Sequence, residues 1–292
     1  MRYETCAEIA VALTGEMNMR KDEAGADTRN ASAETNFSAY AEPLVGEAIA
    51  HASALEGGGE AEQLHKLRVS LRRLRTLLWA YRPILNEEFD SQQRAVYKFL
   101  ANAAGNTRDW DILIGLVEAT GDEELLEAFR NSRAEASRQS LETLSHASVK
   151  QILREAMSEA NRELNTAAQR TPLTRFAKKR VVTAQKQMKK RMRAASRAGS
   201  SDYAAFHEVR KAGKKVRYLL EFFEPLLGRK QRKGLKTLKR VQKRFGALND
   251  VVASRDLLLQ HRPSLPGDAA DRALHALEKE QKRRIKAAAK LL

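Results

Sequence analysis

The sequence has 292 residues, 42% of them apolar, and carries a formal net charge of +16. A single cysteine excludes a disulfide framework and any cysteine-based zinc or iron–sulfur site, while the few prolines and glycines argue against an all-β or loop-rich fold. No apolar run reaches the ~20 residues that a membrane-spanning helix needs, and the start of the chain is a poor signal peptide. We therefore expect a cytoplasmic protein with no membrane partner.

Residues 1–35 show no sustained hydrophobic period and are predicted to form a flexible leader. From there on, apolar residues recur at helical spacing and period-two clusters of β-branched residues are absent, so the sequence predicts an all-α fold. The predicted helices cover residues 37–55, 60–84, 87–104 with a continuation to 117, 122–168, 173–198, 203–227, 230–260 and 267–292. Their ends coincide with breakers such as Pro83, Pro225 and the Pro263–Gly267 run.

The positive charge is concentrated in residues 173–292, which hold 33 basic and 10 acidic residues. Residues 164–201 and 228–249 contain no acidic residue at all. Because both stretches also carry a helical apolar stripe, we interpret them as helices with a polyanion-binding face and not as disordered tails.

Two parts of the chain share one residue pattern. The segment from His65 to Arg75 matches the segment from His207 to Arg217 with an offset of 142, and the motif at Gly105 recurs near Gly246 with an offset of 141. Two landmarks at the same interval predict an internal repeat. The two predicted helical halves cover residues 36–170 and 171–292.

The repeated segment places its cations on one side of a helix. At 100° per residue they lie within one stripe of about 80°, beside the apolar stripe that faces the core. The first stripe consists of His65, Arg68, Arg72 and Arg75, the second of His207, Arg210, Lys214 and Arg217, with Arg73 and Lys215 next to them. Cations beside the core seam point to a groove between helices and need anionic partners there. We predict that these residues bind phosphate groups, with the histidines donating from imidazole N–H.

Two further helices are predicted to contribute to the same polyanion site. Their basic faces contain Lys179, Lys186 and Lys190 in one helix and Lys236, Arg240 and Lys243 in the other. Like charges three or four residues apart cost a few tenths of a kcal/mol each in an isolated helix, which a bound polyanion would relieve. The alternative for each helix is a solvated face that serves solubility.

Asp109 and Asp250, one in each copy, are predicted to orient neighbouring arginines through ion pairs. The alternative is a metal–carboxylate site that would also use Asp111 and Asp256. No Gly-rich phosphate loop, dinucleotide fingerprint or hydrolase motif is present. The sequence therefore predicts a non-catalytic protein without a metal or cofactor.

The pattern His65-x-x-Arg68-x-x-x-Arg72-Arg73-x-Arg75, followed by Gly105-x-x-Arg108-Asp109 and repeated from His207, resembles the CHAD family of conserved-histidine α-helical domains. The similarity extends over about residues 36–292. It implies two four-helix bundles related by pseudo-twofold symmetry, with basic residues lining a central cavity. It also implies binding of inorganic polyphosphate and association with polyphosphate granules.

Three features of this sequence depart from what is common in the family. Family members are often fused to a CYTH-type triphosphatase domain, for which the leader of about 35 residues leaves no room. Asn249 replaces the arginine found at Arg108, and Lys214 and Lys215 replace arginines. Since lysine holds phosphate as a point charge where arginine can bind through two bonds, the two halves are not expected to contribute equally.

Three functions are compared on this basis. Polyphosphate binding without catalysis is favoured. A nucleic-acid-binding protein explains the charge, but few aromatic residues are available for base stacking, so weaker binding is expected. An enzyme or accessory protein of polyphosphate or triphosphate hydrolysis would need a metal–carboxylate cluster, which cannot be assembled from the sequence.

Overall fold

A computed structural model of the chain describes residues 31–56, 61–198, 202–232 and 234–292. The helices are α1 Phe37–Glu56, α2 Ala61–Tyr81, α3 Glu87–Ala103, α4 Asn106–Val117, α5 Glu123–His146, α6 Val149–Thr166, α7 Leu173–Ala198, α8 Tyr203–Phe222, α9 Arg229–Arg232, α10 Leu235–His261 and α11 Gly267–Ala289. The described residues form no β-ladder, only an isolated bridge between Ser32 and Pro172. The predicted all-α fold is confirmed.

Most helix ends lie where the sequence predicts them, and the exceptions have local causes. A proline is the second residue of each short 3-10 turn after α2, α8 and α10, where its nitrogen cannot donate a hydrogen bond to the preceding helix. The single helix predicted for residues 122–168 is wrong. Ser148 adopts a left-handed conformation with φ of 47°, so the chain turns between α5 and α6.

The end of the predicted leader is ordered. Ala33 donates to the Thr171 carbonyl over 2.8 Å, and Leu173 donates to the Ala31 carbonyl over 2.9 Å. The buried Glu34 carboxylate accepts from the Thr171 backbone N–H. Residues 31–35 are therefore attached to the start of α7, while residues 1–30 lie outside the described residues.

The apolar residues form two clusters. The larger one joins α1, α2 and α3 to α6, α7 and α8 and includes part of α10. The smaller one joins α4 and the start of α5 to the end of α10 and to α11, with Trp110 and Phe129 at its centre. Each cluster combines helices from before and after residue 170, so neither predicted half has a core of its own among these residues.

The two helices with the repeated pattern bury the faces that the sequence assigns to the core. Leu67, Leu71, Leu74 and Leu78 of α2 are buried, as are Val209, Gly213, Val216 and Leu220 of α8. Both helices contact each other, and α8 also packs on α7 and α10. This packing brings the cationic sides of α2 and α8 next to one another.

The repeat landmarks differ in their local structure. Gly105 lies at the break between α3 and α4, whereas Gly246 lies inside the uninterrupted α10. The pseudo-twofold relation of the halves stays a prediction.

Candidate anion-binding cleft

A cleft of about 720 Å³ lies between α2, α7 and α8, with one side chain from α3. Its lining contains nine Lys or Arg side chains and one carboxylate, that of Glu208. The nine cations are Arg72, Arg75, Arg94, Lys190, Arg191, Arg210, Lys211, Lys214 and Lys215. His207 also lines the cleft. Residues from both predicted copies and from α7 therefore meet in one concave, strongly positive surface.

Four of these cations have a partner within the protein. Glu208 pairs with Lys211 and lies 3.8 Å from Arg191. Arg94 binds Asp90 through two hydrogen bonds of 2.8 and 2.7 Å, and Asp90 is fully buried. The Lys215 ammonium lies 4.5 Å from the ring centre of Trp79.

The remaining five cations of the cleft have no such partner. None of them forms an ion pair with a carboxylate of the part of the chain that the structure describes; they are Arg72, Arg75, Lys190, Arg210 and Lys214. The Nε atoms of Arg75 and Arg210 are buried without any hydrogen-bond acceptor. Buried donors that lack an acceptor are costly, so this group of side chains is arranged for an anion that is supplied from outside.

The pKa values indicate the same electrostatic cost. Burial, followed by repulsion from Arg210, Arg72 and Arg217, lowers the pKa of Lys214 to about 6. Burial, with Arg72 and Arg94, also lowers the pKa of the Arg75 guanidinium. Each shift means that the charged form is disfavoured in the free protein and would be stabilised by an anion.

Trp79 forms the aromatic wall of the cleft. The Arg180 guanidinium lies 4.6 Å from its ring centre, and Arg180 Nη2 donates to the Trp79 carbonyl over 2.6 Å. The other aromatic residue of the lining, Tyr218, has the Arg217 guanidinium over its ring at 4.7 Å. The rings thus serve as supports for cations.

The two histidines differ in their surroundings. His207 Nδ1 donates to Asn249 Oδ1 over 3.0 Å, so its Nε2 carries a hydrogen only when the ring is protonated. Burial lowers the pKa of His207, although the bond to Asn249 opposes this shift. His65 does not line the cleft, and its Nδ1 is buried without a partner. Burial and the Arg108 charge lower its pKa.

Arg68 does not line the cleft, and burial lowers the pKa of its guanidinium although Asp109 opposes this shift. Arg68 Nη2 is 3.7 Å from Asp109 Oδ1, and burial raises the pKa of Asp109 despite this pair. The Arg68 guanidinium covers Gly105 so closely that a Cβ there would lie 1.2 Å from Nη1. Asp250 attracts Arg68 and Arg210 but forms no ion pair with them.

Several residues of the predicted site lie elsewhere. Arg73 pairs with Glu47 over 3.3 Å, and Arg217 lies 3.4 Å from Glu221. Exposed, and outside the cleft, are Lys179 and Lys186 on α7 and Lys236, Arg240 and Lys243 on α10. The cleft thus brings together Arg72, Arg75, Lys190, His207, Arg210, Lys214 and Lys215 of the predicted set.

Among the cleft residues that were not predicted are one aromatic residue and three cations: Trp79, Arg94, Arg191 and Lys211. Lys211 directly follows the predicted Arg210, and this position was a signal for it in the sequence. The place of Arg94 in the cleft depends on how α3 packs against α2, which no pattern within α3 indicates.

Asp111 and Asp256, which a metal–carboxylate site would also use, each form an ion pair with an arginine. Asp111 binds Arg133 Nε over 2.5 Å, and Asp256 binds Arg255 over 2.8 Å. Within the described ranges, no three His, Cys, Asp or Glu side chains are placed to hold a metal ion. No described helix is both long and apolar enough to cross a membrane.

A larger cavity of about 930 Å³ lies between α1, α5 and α6. Its lining balances the cations Arg138, Lys150 and Arg154 against the carboxylates Glu56, Glu142 and Glu155. Because its charges cancel, this cavity offers an anion no net attraction, and we place the candidate site in the cleft between α2 and α8.

The fold and the site together define a class of protein: an all-α protein with a cationic cleft between its helices. A sequence model of the CHAD domain matches residues 39–259, which is most of the chain, and the chain therefore belongs to the CHAD domain family. No protein of curated function matches the sequence closely enough to count as a relative.

Two solved structures share the fold. The crystal structure of the CHAD domain from the plant Ricinus communis is 22% identical in sequence, with a TM-score of 0.77 over 90% of this chain and 92% of that chain. The structure of PptA from Streptomyces chartreusis is 15% identical, with a TM-score of 0.63 over 89% of this chain and 98% of that chain. At these identities the similarity concerns the fold.

Proposed function

We propose that the protein binds inorganic polyphosphate in the cleft between α2 and α8, without hydrolysing it. The observation that carries the proposal is the group of five cleft cations without a carboxylate partner, among them Arg72, Arg75 and Arg210. A phosphate chain presents repeated charged acceptors along its length. It would supply the acceptors that the buried Arg75 and Arg210 Nε atoms lack.

The aromatic residues favour polyphosphate over single-stranded nucleic acid. Stacking of bases on aromatic rings supplies much of the affinity for single strands. The two aromatic rings of the cleft, Trp79 and Tyr218, already have cations over their faces. Base stacking would have to displace these cations, whereas a phosphate chain would bind directly to Lys215, which also lines the cleft.

Membership in the CHAD family supports the same ligand, and it extends the proposal to the cell. A protein that holds a long polyphosphate chain is expected to collect on cytoplasmic polyphosphate granules. This location would be visible as colocalisation of a fluorescent fusion with the granules.

Competition tests the choice of ligand. Labelled long-chain polyphosphate is bound to the protein at ~150 mM salt and displaced by polyphosphate, duplex DNA or RNA at equal phosphate concentration. We expect polyphosphate to displace at least tenfold more effectively, because nonspecific nucleic-acid contacts weaken strongly at this salt concentration. Equal or better competition by DNA would contradict the proposal.

Phosphate release is measured in the same samples with Mg²⁺ or Mn²⁺ present. We expect none. Turnover that copurifies with the protein and is lost in Asp109→Ala or Asp250→Ala would show catalysis and overturn the non-catalytic part of the proposal.

A further inference from the structure

Lys214 has an unusual environment for a lysine. From its own helix α8 it is repelled by Arg210 and Arg217, and from α2 by Arg72; the carboxylate that attracts it is Asp250 of α10. It forms no ion pair with any described carboxylate. Its side chain nevertheless lines the cleft, so small molecules can reach it.

Lysine and arginine respond differently to the repulsion between these neighbouring cations. Arginine does not lose its proton in proteins, whereas a lysine ammonium does so readily when it is desolvated. Among these cations, Lys214 is therefore the one that can relieve the repulsion by becoming neutral. Burial and the neighbouring arginines lower its pKa to about 6, so the free amine predominates at neutral pH.

A neutral lysine amine is a nucleophile, and its neighbours are phosphate-binding groups. Desolvation and adjacent cations are the conditions that activate lysine for covalent chemistry. Arg72 and Arg210 lie close enough to Lys214 to affect its ionisation, and both line the same cleft. An electrophile that carries a phosphate would be held by these arginines with its reactive atom near the amine.

We propose that Lys214 is a covalent modification site whose amine takes an acyl group from a small acyl phosphate bound in the cleft. The amine nitrogen attacks the carbonyl carbon and forms an amide bond. The bond between the acyl carbon and the phosphate oxygen breaks, and inorganic phosphate leaves with the electron pair. The proton lost by the amine goes to the departing phosphate, so no other reactant is needed.

This inference goes beyond the proposed function, since it requires the cleft to bind one short phosphate and not a polyphosphate chain. An amide cannot be protonated on anion binding, so acylation would remove one cation from the loaded cleft. A protein that binds polyphosphate but is not acylated at Lys214 would contradict the inference alone. Acylation without polyphosphate binding would contradict the proposed function alone.

The test uses the full chain with acetyl phosphate as the probe, and mass spectrometry measures the acetylation rate at each lysine. Lys286 and Lys290, exposed on α11 and at its end, are internal controls within the same molecules. At pH 7.5 we expect Lys214 to react at least tenfold faster than either control. The rate at Lys214 should reach half of its maximum near pH 6.

Acetic anhydride, an acetyl donor without phosphate, tests the role of the arginines. We expect the ratio of the acetylation rates at Lys214 and Lys286 to be at least threefold lower with acetic anhydride than with acetyl phosphate. In Arg72→Gln, the same ratio measured with acetyl phosphate should fall by a similar factor. Circular dichroism checks the fold of that variant, and the donor comparison in the unmodified chain needs no variant. Equal acetylation of Lys214 and Lys286 by acetyl phosphate, or a preference that is the same for both donors, would overturn the inference.

Discussion

At the residue scale, cations with and without partners have different roles in the cleft. Arg94 is held by the buried Asp90 through two hydrogen bonds, whereas Arg72 and Lys214 have no carboxylate partner among the described residues. A cation with a partner, such as Arg94, fixes the shape of the cleft wall and is part of the folded structure. A cation without a partner, such as Arg72, raises the free energy of the free protein and becomes favourable only when an anion binds.

Replacing Arg94 therefore tests stability. In Arg94→Met the fully buried Asp90 loses its main partner and, within the described ranges, keeps an ion pair only with Arg82, whose Nε is 3.6 Å away. We expect the free energy of unfolding to fall by about 3 kcal/mol in urea titrations. Lys98→Met, at an exposed position of the same helix, is the control and should change it by less than about 0.5 kcal/mol. Equal stability of both variants would contradict this role of Arg94.

The lowered pKa of Lys214 predicts how its replacement depends on pH. The unfolded chain holds this proton up to about pH 10.5 and the folded chain only to about pH 6, so the residue destabilises the fold fully below pH 6 and progressively less up to pH 10.5. We expect Lys214→Met to be more stable than the unmodified chain at pH 6, with a gain that shrinks by pH 10. Urea titrations at pH 6, 8 and 10 measure this gain. A gain independent of pH would show that the ammonium is not the cause.

At the scale of the elements, helix geometry explains what could be predicted from the sequence. The buried leucines of α2 and the cations Arg72 and Arg75 are separated by fixed angles on one helix, so their faces could be assigned. A basic face opposite an apolar stripe, as at Lys236 and Lys243, faces either a cleft or solvent. Whether such a face lies in a cleft or in solvent depends on how the neighbouring helices pack, and here both lysines are exposed.

The glycines of the repeat also show that a sequence pattern does not reveal which residues pack against a given position. A Cβ at Gly213 would lie 3.8 Å from side-chain atoms of Leu238 and Val241, which is ordinary van der Waals contact. Gly105 instead makes room for a side chain, the Arg68 guanidinium. The sequence shows glycine at both positions and cannot show which neighbour lies against it.

Gly213→Ala is therefore predicted to be tolerated. Alanine is the better helix former, so the free energy of unfolding should rise by about 0.5–1 kcal/mol. Gly105→Ala should bring no such gain, because the new Cβ would displace the Arg68 guanidinium from Asp109. Thermal and urea unfolding of both variants provide the comparison. A loss of stability in Gly213→Ala would mean that α8 and α10 pack more tightly than these distances indicate.

At the scale of the whole molecule, the excess of positive charge has two distinct locations. One part lies in the cleft between α2, α7 and α8, and another covers the outer faces of α7 and α10. Both attract a polyanion from a distance, but only the cleft surrounds it with donors that have no other acceptor. Polyphosphate affinity is therefore expected to come from the cleft and not from the net charge.

Two double variants with the same change in net charge distinguish binding in the cleft from attraction by the overall charge. Arg72→Gln with Arg75→Gln removes two cleft cations, and Lys286→Gln with Lys290→Gln removes two exposed cations far along the sequence from the repeated pattern. The measurement is polyphosphate affinity of both variants across a salt series, with helicity checked by circular dichroism. We expect the cleft variant to bind at least about 100-fold more weakly, since each charge-assisted hydrogen bond contributes about 1.5 kcal/mol or more, and the control to lose less than about threefold. Equal affinities of the two variants would contradict the cleft as the binding site.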